Sequence, residues 1–124
     1  MSRKILLVDD SATVLMMEKM ILASERFQVV TAANGEEAQK RAKEELPDLI
    51  LMDIVMPKMT GIQACRAIKD DPSTKHIPII LVTTRGEAES MEAGYSSGCN
   101  DYVTKPVNSA ELLGKIRNLL GSQK

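Results

Sequence analysis

The sequence predicts a doubly wound α/β sandwich, a five-stranded parallel sheet in (βα)5 order with helices on both faces. Three apolar runs, Ile5-Leu6-Leu7-Val8, Leu49-Ile50-Leu51-Met52 and Ile79-Ile80-Leu81-Val82, each end at a polar residue instead of alternating with polar ones. Strands apolar on both sides belong in the interior of a parallel sheet. Helical stretches separate the runs, and such alternation implies right-handed crossovers that cover both faces of the sheet. At 124 residues and 44% hydrophobic, the chain can build one compact core and is too short for two. The expectation is a single domain over residues 1–124.

Taken in order, the first strand is Ile5–Val8 and a helix over 12–24 follows. Gln28–Ala32 is shorter and more mixed, as an edge strand would be. Asn34, three residues before Glu37, opens a helix over 35–45, because a side chain at that spacing can cap the first free N–H groups. Leu49–Met52 runs into Asp53, and Thr60 with Gln63 opens a helix over 61–69. Ile79–Val82 is ended by Thr83. A helix over 87–97 is weakened by Gly86, Gly94 and Gly98. Asp101–Thr104 is the second edge strand, and Asn108 with Glu111 opens a helix over 109–120. On the first helix, Val14, Met17 and Ile21 are spaced to face the sheet, which leaves Leu15, Met16 and Leu22 pointing outward or sideways. Met16, Met17, Met20, Met52, Met56 and Met59 read mostly as adaptable core filler.

Sixteen basic and seventeen acidic residues leave a net charge of −1, with no Lys/Arg run to form a nucleic-acid or anionic-membrane footprint. The four-residue apolar run near the N-terminus is too short for a signal-peptide core or a membrane span. A cytoplasmic protein without membrane insertion or direct nucleic-acid contact is expected. Cys65 and Cys99 lack CxxC spacing and read as small buried hydrophobes, and His76 as a solvated loop residue.

Parallel strands end on one rim, and open α/β sheets bind ligands there, where strand order reverses. Asp9 and Asp10 follow the first strand, Asp53 ends the third, Thr83 ends the fourth and Lys105 follows the fifth. Converging carboxylates raise one another's pKa unless a cation lies among them, and Mg2+ favours such hard oxygen ligands. With the metal in place, Asp53 can stay ionised and attack phosphorus, giving an aspartyl phosphate. Lys105 then offers a point charge and Thr83 a hydroxyl to the phosphoryl oxygens.

The stretches "LLVDDSA", "LILMDIVMPKMTG", "IILVTT" and "DYVTKPV", in this order and spacing, resemble the receiver domain of two-component response regulators over essentially the whole chain. The resemblance implies the flavodoxin-like, CheY-like strand order 2-1-3-4-5. It implies Asp53 as phosphoacceptor, Asp10 as a direct Mg2+ ligand, Asp9 as a ligand through water, and the Val55 backbone carbonyl as a further ligand. Thr83 would be the switch hydroxyl, Lys105 the phosphate-sensing lysine, Tyr102 the aromatic rotamer switch, and Lys105-Pro106 a cis bond. Thr84 stands where such domains often have Ala or Gly, and Val55 and Arg85 occupy positions that tune phosphate lifetime.

The resemblance also implies partners. A histidine kinase or histidine phosphotransfer protein would supply the phosphoryl group, with Leu15 and Met16 as docking residues; core packing is the competing reading of both. A downstream protein would bind the face built from the helix over 87–97, the last strand and the helix over 109–120. No DNA-binding segment lies within the 124 residues, so the expected output is protein binding, in a chemotaxis or motility setting. "LMDIVMP" followed by "ILVTT" is similar to twitching-motility regulators. The chain is expected to be a signalling switch rather than an enzyme, monomeric or dimerising on phosphorylation, and could equally be a receiver cut from a longer protein.

Two rival classes remain. A pseudo-receiver would keep the fold as a phosphate-independent interaction module, though such domains usually lose one of the residues present here. A flavin or phosphatase protein on the same fold is disfavoured, since Asp9-Asp10 would repel a flavin phosphate and are adjacent rather than two apart. Asp9 and Asp10 also have a bland reading, as caps of the helix that follows.

Overall fold

Residues 3–84 and 95–121 are described by the structure, a computed structural model. Among them are five strands, β1 (Lys4–Val8), β2 (Gln28–Ala32), β3 (Leu49–Asp53), β4 (Ile79–Thr84) and β5 (Asp101–Lys105). Four helices accompany them: α1 (Ala12–Ala23), α2 (Gly35–Glu45), α3 (Gly61–Asp70) and α4 (Ser109–Leu120). The helix expected over 87–97 falls largely outside the described residues; Tyr95 and Ser96, at its end, are helical.

All strands pair in parallel in the order β2-β1-β3-β4-β5, so the two mixed strands are the edges and the apolar runs lie inside. Alternation along each strand divides the core into two layers. Leu6, Val8, Ile50, Met52, Ile79 and Leu81 face one side, against Ala38 and Ala42 of α2 and Ala64, Cys65 and Ile68 of α3. Ile5, Leu7, Leu49, Leu51, Ile80, Val82 and Val103 face the other, against Leu22 of α1 and Leu112 and Ile116 of α4. Each fully buried Leu or Ile contributes about 1.5–3 kcal/mol over its exposed state, which is why the long runs take the middle of the sheet.

The helix starts follow their local signals. Asn34 Oδ1 accepts from the Glu37 N–H at 2.8 Å and Asn108 Oδ1 from the Glu111 N–H at 2.9 Å. Thr60 and Gln63 form a reciprocal capping box. α1 is capped by the Ser11 hydroxyl, which accepts from the Val14 N–H, so neither Asp9 nor Asp10 serves as that cap.

The expected orientation of α1 needs correction. Met17 is 48% exposed while Leu22 is fully buried, and Glu18 is buried between them. The stripe against the sheet is Leu15, Glu18 and Leu22, with Ile21 packed along its flank and Val14 half-buried. Apolar residues run around most of this helix, so spacing alone did not set its phase. The methionine expectation holds for Met52, Met56 and Met59 and fails for Met16, Met17 and Met20, which are exposed. Cys65 and Cys99 are free, buried thiols, and His76 is exposed. No helix among the described residues is long and apolar enough to cross a membrane.

Candidate functional site

The strand alternation that sorts the core also aims the site. On β1 the series Ile5, Leu7 continues to Asp9, and on β3 the series Leu49, Leu51 continues to Asp53. On β5, Val103 continues to Lys105. Period 2 therefore brings all three to the layer covered by α1 and α4, at the C-terminal rim, and β1 and β3 are adjacent there. Between them the order of connections reverses, the place where ligands of open α/β sheets bind.

Asp9, Asp10 and Asp53 each present a carboxylate oxygen within 4.8 Å of the others. Asp9 and Asp53 are buried and Asp10 is exposed. Lys105 Nζ lies 3.1 Å from Asp53 Oδ1 and 3.8 Å from Asp9 Oδ2. Asp9 Oδ1 accepts from the Ser11 N–H at 2.9 Å, but its Oδ2 is buried without a hydrogen-bond partner. Burial raises the Asp53 pKa and the Asp9 charge raises it further, against the hydrogen bond and charge of Lys105. Burial likewise raises Asp9, offset in part by the Ser11 N–H and Lys105. Partial burial disfavours the Lys105 ammonium, yet the Asp53 hydrogen bond and the surrounding carboxylates outweigh it and raise its pKa.

Among the described residues, one lysine thus faces two buried acids. Three carboxylates, with one buried oxygen that no hydrogen bond satisfies, suit a hard divalent cation such as Mg2+, which takes oxygen ligands and keeps several waters.

The loop after β3 is held against the site from below. Ile54 N–H donates to Val82 O at 3.1 Å and Gly61 N–H to Ile54 O at 2.8 Å. A Cβ on Gly61 would collide with the Asp53 carbonyl oxygen and come within 2.9 Å of Ile54 Cα. Only a residue without a side chain lets the start of α3 approach the Asp53 backbone so closely. Lys58 in the same loop has φ 68°, a left-handed conformation uncommon outside glycine. Val55, two residues beyond Asp53, is 64% exposed.

Thr83 is buried one residue beyond Val82, the register partner of Asp53. Thr84 continues β4, and Arg85 lies outside the described residues. Tyr102 is half-buried on β5; Tyr95 meets its ring edge-on with centroids 5.8 Å apart, and Lys115 Nζ sits 5.3 Å from its centroid. The Lys105-Pro106 peptide is cis. Leu15 packs against the core, Met16 is 63% exposed, and the two line a groove of about 390 Å³ with Ala12, Lys19 and Thr31.

Sequence reasoning missed Glu18 and Tyr95. Glu18 is 2% exposed, with Oε1 unpartnered, beneath the acid cluster. A glutamate two turns into a mostly apolar helix was the available signal.

Comparison with known proteins agrees with this geometry. The family model described as the response regulator receiver domain matches residues 5–117. The response regulator PleD of Caulobacter vibrioides is 40% identical over 96% of this chain, which spans about a quarter (26%) of PleD. Protein PilH of Pseudomonas aeruginosa is 41% identical over 94% of this chain and 97% of its own length. Among solved structures, the receiver domain of the sensor histidine kinase PA1611 from Pseudomonas aeruginosa superposes with a TM-score of 0.90 at 30% identity, covering 98% of this chain and 99% of that one. That structure is described with a magnesium ion coordinated in its active-site cleft.

Proposed function

The chain belongs to the response regulator receiver domain family of two-component signalling, and on that premise we propose that it is a phosphorylation-controlled switch with Asp53 as its phosphoacceptor. The observation that carries this reading is the convergence of Asp9, Asp10 and Asp53 on one rim with Lys105 bridging Asp53 and Asp9. Asp9, Asp10, Asp53 and the Val55 backbone carbonyl would hold Mg2+. When bound, the ion neutralises charge on the phosphoryl oxygens and lets the acids remain ionised.

On this reading the chain's own residues act in the following steps. An Asp53 carboxylate oxygen attacks the phosphorus of a phosphohistidine or small phosphodonor; the O–P bond forms as the P–N or P–O bond to the donor breaks. The Lys105 ammonium exchanges its contact with Asp53 Oδ1 for a phosphoryl oxygen, and the Thr83 hydroxyl donates to another. Ser11 N–H keeps Asp9 in orientation through its Oδ1. Phosphorylation adds about 1.5–2 negative charges at the rim. Movement of Thr83 toward them frees the space into which Tyr102 turns, and the face carrying Tyr95, Tyr102 and α4 changes shape for its downstream protein. Val55, Thr84 and Arg85 set how long the phosphoryl group survives. Chemotaxis or motility is the proposed setting.

Mass spectrometry after acetyl phosphate and Mg2+ tests the reading. The expected result is a labile gain of one phosphoryl group (~80 Da) that requires both Mg2+ and Asp53 and is lost in Asp53→Ala. No gain in the wild-type chain would sink the switch and leave a phosphate-independent interaction module.

The groove beside the pocket extends the proposal to the donor protein. Its apolar lining, with Met16 standing 63% exposed at the rim, suits the apolar face of a helical phosphodonor domain. Met16→Glu is expected to slow phosphotransfer from a histidine phosphotransfer protein roughly tenfold, equivalent to about 1.4 kcal/mol. Labelling by acetyl phosphate should be unchanged. Equal rates with the protein donor would remove the groove from the docking surface.

A further inference from the structure

Glu18 is a carboxylic acid in a place that the packing reserves for an apolar side chain. It sits on the α1 stripe between Leu15 and Leu22, which pack against the layer of Ile5, Leu7, Leu49 and Leu51. It is 2% exposed and its Oε1 is buried without a hydrogen-bond partner. Burying such a group has no packing rationale, since a leucine would fill the same space without the desolvation cost.

Geometry aims this side chain at the pocket. α1 begins at the rim and runs away from it, so Glu18 lies about 10 Å along the helix axis from the Ser11 cap. Helical side chains tilt back toward the N-terminus, which here is the rim. The sheet layer it faces ends in Asp9 on β1, Asp53 on β3 and Lys105 on β5. Among the described residues, these are the charged groups whose fields reach it. The ion-paired cations of α4 are engaged elsewhere, Lys115 with Asp101 and Arg117 with Glu25.

Resting on the switch reading above, we infer that Glu18 is a proton-carrying positioning residue for the phosphoacceptor site, a carboxyl beneath Asp9 and Asp53 that releases its proton when a divalent cation enters the acid cluster. In the cation-free protein the neutral acid leaves the Lys105 ammonium to Asp53 and Asp9. A fourth negative charge would compete for that ammonium and repel both acids. Two positive charges arriving at the cluster reverse the balance: the Glu18 O–H bond breaks, its electron pair stays on the carboxylate, and the proton passes to solvent buffer. Burial chiefly, with the charge of Asp9, holds the carboxyl protonated up to about pH 8, so the proton is present to be released at neutral pH. Uptake of Mg2+ and loss of this proton are then linked.

Isothermal titration calorimetry of the full chain with Mg2+, at pH 6.5 to 8 in two buffers of different ionisation enthalpy, counts the protons released. The wild-type protein should release more protons per Mg2+ than Glu18→Gln, and its apparent affinity should rise by up to about tenfold per pH unit, the limit for one linked proton. Glu18→Gln should show a nearly flat profile, and Glu18→Leu, a volume-matched apolar variant, should match it. Mg2+ binding with the same proton count and pH slope in wild type and both variants would overturn the inference while leaving the phosphoacceptor site intact. Absence of Mg2+ binding by the wild-type chain at every pH would overturn the proposed function itself, and the inference with it.

Discussion

In metal-free solution the protein is expected to lose stability as pH rises from about 4.5 to about 8. The cause is Glu18, whose pKa is raised from 4.5 to about 8 in the folded chain, chiefly by burial and then by the charge of Asp9. Below 4.5 both folded and unfolded states carry the proton and the difference vanishes. Between the two values the unfolded chain has released the proton and the folded chain has kept it, so the folded state binds more protons and stability falls with pH. Above about 8 the deficit is complete. At ~1.4 kcal/mol per pH unit its ceiling is about 5 kcal/mol, and relaxation around a buried carboxylate brings the expected change to about 2–4 kcal/mol.

Asp9 and Asp53 are also raised by burial and act in the same direction. Asp71, lowered to about 2 by its hydrogen bonds to Ser73 and Lys43, acts oppositely, but only below its ordinary value of 3.8 and therefore outside the window. Urea unfolding midpoints at pH 5 and pH 8.5, with a chelator present, measure the effect. Glu18→Gln should flatten the profile, and excess Mg2+ should restore stability at the alkaline end by binding the folded state. A midpoint that rises with pH would show that the acids under the rim are not held protonated by burial.

Gly61→Ala is expected to destabilise the chain by about 3 kcal/mol, the upper part of the range for overpacking. The added Cβ would meet the Asp53 carbonyl oxygen and, at 2.9 Å, Ile54 Cα. Both are backbone atoms in a strand end held by the Ile54 to Val82 hydrogen bond, so neither can rotate away. Relief requires displacing either α3 or the peptide that carries Asp53. Phosphoryl labelling should therefore fall together with the urea midpoint. Gly114, in α4, is the control: nothing lies within 4 Å of a Cβ there, and Gly114→Ala should gain about 0.5–1 kcal/mol from helix propensity alone. Equal, small effects at the two glycines would show that the start of α3 does not press on the Asp53 peptide.

The strands, their two edges, three of the helix starts and the rim position of Asp9, Asp53, Thr83 and Lys105 were legible in the sequence, because each depends on a local signal. An unbroken apolar run marks an interior strand, and a side chain three residues before a Glu or Gln marks a helix start. Even the layer shared by Asp9 and Asp53 is implicit in the period of two that links Ile5, Leu7 and Asp9 and links Leu49, Leu51 and Asp53. Tertiary structure decided what such signals leave degenerate. α1 carries apolar residues around most of its circumference, so its phase was set by which stripe the sheet buries: Leu22 went in and Met17 stayed out. The same rotation put Glu18 under the acid cluster. Gly61 looked like an ordinary helix start until the Asp53 peptide was seen to occupy the space of its missing side chain. Sequence order specified which groups reach the rim, while close packing, which discriminates at the scale of a single methyl group, specified what lies beneath them.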